Sequence, residues 1–104
     1  MRFEVLFPEW LDDLAEFEHE AKGYISGVRV LLSDGSCYTV DIFDPTRLMQ
    51  DMEAEFESGT PFVTCCNLIV VLNVSRPGIL EAVGSLVEDG RLMREFRRDE
   101  SGVQ

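Results

Sequence analysis

Asn67-Leu68-Ile69-Val70-Val71-Leu72-Asn73 decides how the rest of the chain is read. Five apolar residues in a row, three of them β-branched, with an asparagine at each end, predict a short strand covered on both faces. Such a strand belongs at the centre of a sheet, so the other segments are arranged around it.

Before it, Tyr24 to Leu32 and Ser36 to Phe43 read as two strands joined near Asp34-Gly35. A two-residue Asp-Gly turn would set Val30 opposite Thr39 and mix the faces throughout. A three-residue loop, Ser33-Asp34-Gly35 with Gly35 left-handed, sets Val28 opposite Val40 and Val30 opposite Tyr38. Because a slip of one residue reverses every side chain, the second register is chosen. It gathers Val28, Val30, Leu32, Tyr38, Val40 and Ile42 on one face.

Helices are marked by their ends. Pro8 opens one that runs to about Ala21, with Trp10, Leu14, Phe17 and Ala21 as its core stripe, Leu11 at the margin and Gly23 as its stop. Asp44 caps a second, with Pro45 in the first turn, Leu48, Met49, Met52 and Phe56 facing inward, and Ser58-Gly59 ending it. Ser75 caps a third that runs to about Asp89 and buries Ile79, Leu80, Val83, Leu86 and Val87. Phe3, Val5 and Phe7 alternate as a half-buried strand, Phe62 to Cys65 suggests another, and Arg91 to Arg98 forms a last short helix or strand. The expected fold is α+β: a two-layer sandwich in the order β-α-β-β-α-β-β-α, with a mostly antiparallel sheet of about five strands and three helices. Residues 1–98 form one domain, and 99–104 are expected to fray.

Charge is the unusual global property. Twenty acids against nine bases give a net charge of −11, concentrated in residues 1–57, which carry −10. Residues 58–90 carry −2 and residues 91–104 carry +1. That balance disfavours nucleic acid and anionic membrane and favours a basic protein partner, or simple solubility. Leu68 to Leu72, the longest apolar run, falls far short of a bilayer span. Met1-Arg2-Phe3-Glu4-Val5 has an acid where a secretory leader needs a continuous apolar segment. Three cysteines, two of them adjacent, do not make a disulfide framework, so a cytoplasmic location is expected.

Catalytic chemistry finds few candidates. His19, the single histidine, falls among glutamates on the wet side of the first helix, and its ordinary reading is a surface histidine. Cys65-Cys66 lacks the two-residue spacer of a metal or redox pair, and on a strand one would point inward and one outward. The sequence has no calcium loop, Gly-rich phosphate loop or nucleophile elbow. No cofactor and no metal are expected, and an enzyme is disfavoured. Arg91, Arg94, Arg97 and Arg98 are expected to pair with the chain's own acidic helices.

Acids on the first helix offer more. Glu9, Asp13, Glu16 and Glu20 fall on one ridge, with Asp12 beside them. Like charges at this spacing cost a few tenths of a kcal/mol each, about 1 kcal/mol in total. Their ordinary role is a solvated face; their functional one is to attract a basic partner and speed its arrival. Glu9, Asp12, Asp13, Glu16 and Glu20 are therefore the candidate partner-binding residues.

Val28-Arg29-Val30, Asp34-Gly35, Asp44-Pro45-Thr46-Arg47-Leu48, the acidic helix to Gly59, Pro61-Phe62, Leu68-Ile69-Val70-Val71 and the 76–89 helix together resemble small bacterial proteins of unassigned function. The resemblance covers about residues 28–90 and implies the order hairpin, helix, strands, helix. It brings no activity and no site residues. Three functions follow as expectations. The first is an acidic, non-catalytic binding domain, in its most specific form an intracellular inhibitor of the immunity-protein or anti-defence kind. The others are an accessory subunit that homodimerises through a strand edge, and a thiol enzyme using Cys65 or Cys66.

Overall fold

The computed structural model describes residues 1–100. In chain order these form β1 (Phe3–Leu6), α1 (Asp13–Lys22), β2 (Tyr24–Leu32), β3 (Cys37–Phe43), α2 (Pro45–Glu57), β4 (Leu68–Val70), α3 (Arg76–Glu88) and α4 (Arg91–Glu95). The class is α+β, with one mixed four-stranded sheet ordered β1-β2-β3-β4. β1 and β3 flank β2 antiparallel, and β4 joins β3 in parallel.

The hairpin takes the register that alternation demands: Val28 faces Val40 and Val30 faces Tyr38. Gly35 turns the loop at φ +91°, where a side chain would be strained. Below it, Val28, Val30, Leu32, Tyr38, Val40 and Ile42 are all buried on one face, against Ile79 and Val83 of α3 and Leu92 of α4. Leu11, from the turn before α1, joins the same core. Side chains alternate along a strand, so Phe43 and Leu68 point to the opposite face. There they meet Leu48 and Met52 of α2 around an open cleft of about 520 Å³.

Three expectations about the sheet are corrected. Leu68–Val70 is an edge strand, not the central one. Phe62 to Cys65 pairs with nothing, which leaves four strands among the described residues where about five were expected. Nor is β4 covered on both faces as expected, since Val70 is 45% exposed; position in a sheet depends on what lies at its edges, which an apolar run does not report. Ile69 and Val71 enter the core, while Leu72 remains 84% exposed.

β4 occupies only part of the free edge of β3, and a side chain closes the rest. Asn67, at φ +57°, donates its Nδ2 hydrogens to the carbonyls of Thr39 (2.9 Å) and Arg97 (2.7 Å), and its Oδ1 accepts the Arg97 N–H at 2.7 Å. Asp99 then continues along β3, donating its N–H to the Cys37 carbonyl and accepting from the N–H and hydroxyl of Thr39. The amide of Asn67 thus does the work of a peptide group between two short edge segments. Of the tail expected to fray from Asp99, residues 101–104 lie outside the described residues.

Candidate functional site: the outer face of α1

α1 begins where its cap allows. The Asp12 carboxylate accepts the Ala15 N–H at 2.8 Å, and the helix ends at Gly23, left-handed at φ +77°. It is therefore shorter than the expected 8–21, and Trp10 belongs to the turn before it.

Its orientation reverses the expected one. Ala15, Glu16 and His19 are the half-buried residues, and no α1 residue is fully buried. Leu14 is 67% exposed and Phe17 70% exposed; Ala21 is exposed too, and Trp10 is 53% exposed. The residues read as a core stripe face solvent. Polar anchors hold the helix this way. Glu16 accepts from the Arg76 backbone N–H at 2.8 Å and from its guanidinium at 2.7 Å. The same guanidinium donates to the Leu11 carbonyl and lies 5.7 Å from the centre of the Phe7 ring. On the adjoining flank, His19 Nδ1 sits 2.8 Å from the Tyr24 carbonyl, so that nitrogen carries the proton, and Trp10 stacks on the imidazole at 4.9 Å. His19 is thus a partly buried structural residue, not the surface histidine expected.

The five candidate acids are divided by this arrangement. Glu16 is engaged with Arg76, and Asp12 caps the helix. Glu9, Asp13 and Glu20 are exposed, with Asp13 3.6 Å from the Arg76 guanidinium. Glu18, which the sequence reading passed over, is exposed as well. At 100° per residue, Leu14, Phe17 and Ala21 form one outward line, with Asp13 and Glu20 along one margin and Glu18 along the other. The missed signal was the stripe itself: its spacing is plain in the sequence, but which way it faces goes with contacts on the other side of the helix, from Glu16 to Arg76 and from His19 to Tyr24.

Elsewhere the titratable groups make local structure. Cys65 and Cys66, in a segment that is not a strand, are both exposed free thiols, where one inward and one outward were expected, and Cys37 is buried. Burial, then the Asp41 carboxylate 3.8 Å away, pushes the Cys65 thiol above its ordinary range. Two of the four C-terminal arginines pair within their own segment, Arg91 with Glu95 and Arg97 with Glu100; among the described residues none of the four forms an ion pair with the acidic helices. Among the described residues no group of three or more His, Cys, Asp or Glu side chains is placed to hold a metal ion. No helix among them is long and apolar enough to cross a membrane. No protein family, no curated protein and no solved structure matches the chain.

Proposed function

We propose that the chain is a non-catalytic binding domain whose α1 face meets a basic surface on another protein. The observation that supports this most is the outward set Glu9, Asp13, Glu18 and Glu20, in a half of the chain that carries −10. Bringing a basic surface to these acids relieves their mutual repulsion and steers the encounter. An intracellular inhibitor of the immunity-protein or anti-defence kind, acting in the cytoplasm, is the most specific form of the proposal. Such an inhibitor needs complementary charge and shape but no catalytic group. Affinity capture at two ionic strengths tests it. A basic partner retained at low salt, released at high salt, and lost to a variant carrying Glu9→Gln, Asp13→Asn, Glu18→Gln and Glu20→Gln is the expected result. Capture unchanged by that variant overturns it.

A second reading, an accessory subunit that pairs through a strand edge, draws support from the outer edge of β4, where Val70 and Leu72 are exposed. It predicts a dimer mass in solution. A thiol enzyme gains nothing from Cys65, whose raised pKa lowers its thiolate fraction.

A further inference from the structure

We propose that the partner, on the reading just given, presents to α1 an amphipathic helix whose apolar stripe is bordered on both sides by lysine or arginine, and that Leu14 and Phe17 are the anchors that bind it. An acidic face alone would need no apolar residue at its centre. Here two large apolar side chains stand at i and i+3, followed by the small Ala21, which lets another backbone approach. Leu14 is 67% exposed and Phe17 70% exposed, so both leave most of a large apolar side chain in water at the centre of an acidic face.

The margins choose the occupant. Residues 9–22 hold six acids and one lysine; exposed Asp13 and Glu20 lie along one side of the stripe, and Glu18 along the other, with Lys22 one turn further on. A second copy of this chain would bring those acids against their like, and an anionic lipid surface would be repelled. A helix with basic margins seats its apolar stripe on Leu14 and Phe17 and its cations against Asp13, Glu20 and Glu18. Ala21 suits a helix, because the separation of two packed helices is set by the side chains at their contact and a small one lets the axes come close.

Isothermal titration with three synthetic helical peptides tests this on the full chain. One carries a leucine stripe with lysine margins, one the same stripe with glutamate margins, and one lysine margins with a glutamine stripe. The first is expected to bind with a negative heat-capacity change, which marks apolar burial. Leu14→Gln/Phe17→Gln is expected to weaken it by at least about tenfold while leaving the circular dichroism spectrum unchanged. The glutamate-margined peptide binding as well as the first, or the double variant binding as well as the wild type, overturns the proposal. So does concentration-dependent dimerisation of the protein alone that the same variant abolishes, since a second copy would then occupy the stripe. If the glutamine-striped peptide binds as tightly as the first, the apolar anchor falls while the acidic docking reading stands. If no peptide binds, the anchor also falls, and the charge-neutralised capture experiment decides the acidic reading separately.

Discussion

Glu16 holds Arg76 by both its backbone and its side chain, one carboxylate oxygen on the N–H at the start of α3 and the other on the guanidinium. This pair, sixty residues apart in sequence, joins His19 and the small Ala15 in holding the inner side of α1 against the body, opposite the exposed stripe. It also sets a negative charge at the N-terminus of α3, where the helix dipole favours one.

Removing that clamp weakens the fold. Glu16→Ala is expected to cost about 1–2 kcal/mol in urea denaturation, because it removes two charge-assisted hydrogen bonds that are only partly screened by solvent. Glu16→Gln keeps one acceptor and is expected to cost less. A Glu16→Ala protein as stable as the wild type would mean that α1 is held by something else.

Asn67 predicts a second, more local effect. Asn67→Ala removes three hydrogen bonds that tie Thr39 and Arg97 together, for an expected loss of about 1–3 kcal/mol. Amide exchange should quicken first at Arg97, whose N–H donates to Asn67, and then at Thr39 and Asp99 along the same edge. Asn67→Gly relieves the positive φ but restores none of these bonds, so it is expected to recover only a small part of the loss.

Acid should expose two carboxylates. The Ser36 hydroxyl and backbone N–H hold the Asp34 carboxyl below its ordinary value of 3.8, and Arg91 holds that of Glu95 below 4.5. Each is lower in the folded than in the unfolded chain, so its stabilisation is complete above the ordinary carboxylate range and is lost as the pH falls through it and below. Asp34→Asn is expected to make stability fall less steeply with decreasing pH below about 4. An acid limb of the same slope in the variant would rule out the contribution of Asp34.

Cys65 should be slow although it is exposed. Its raised pKa leaves less thiolate at neutral pH, so iodoacetamide labels it more slowly than a free cysteine. Asp41→Asn removes one of the groups that raise it and is expected to speed labelling, as peptide mapping by mass spectrometry would show. Faster labelling of Cys65 than of free cysteine would revive the thiol reading.

What the sequence makes legible is local. Asp44 and Ser75 cap α2 and α3 through their own side chains, to Arg47 and Gly78 three residues on, and both caps can be read from composition alone. The hairpin register is equally plain, since only one pairing keeps Val28, Val30, Tyr38 and Val40 on one face. α1 is different. Its periodicity identifies a stripe correctly, but the partners of its other side, Arg76 and the Tyr24 carbonyl, are not readable from the helix itself, and the usual rule that apolar faces turn inward points the wrong way. β4 fails for a related reason: Leu68 to Leu72 looks central because it is apolar, yet centrality belongs to β2 and β3, which have neighbours on both sides. Of the candidate site, the acids were visible, but the split between structural Glu16 and Asp12 and exposed Glu9, Asp13 and Glu20 was not.

α1 meets the body of the protein through Glu16, His19 and the small Ala15, and meets solvent through the large apolar Leu14 and Phe17. Equilibrium unfolding of Leu14→Gln/Phe17→Gln beside Ile42→Ala tests it most directly. The double variant is expected to stay within about 0.5 kcal/mol of the wild type, while Ile42→Ala, in the fully buried core, loses about 2–5 kcal/mol. A loss of several kcal/mol in the double variant would show that the stripe packs inward and would contradict the account.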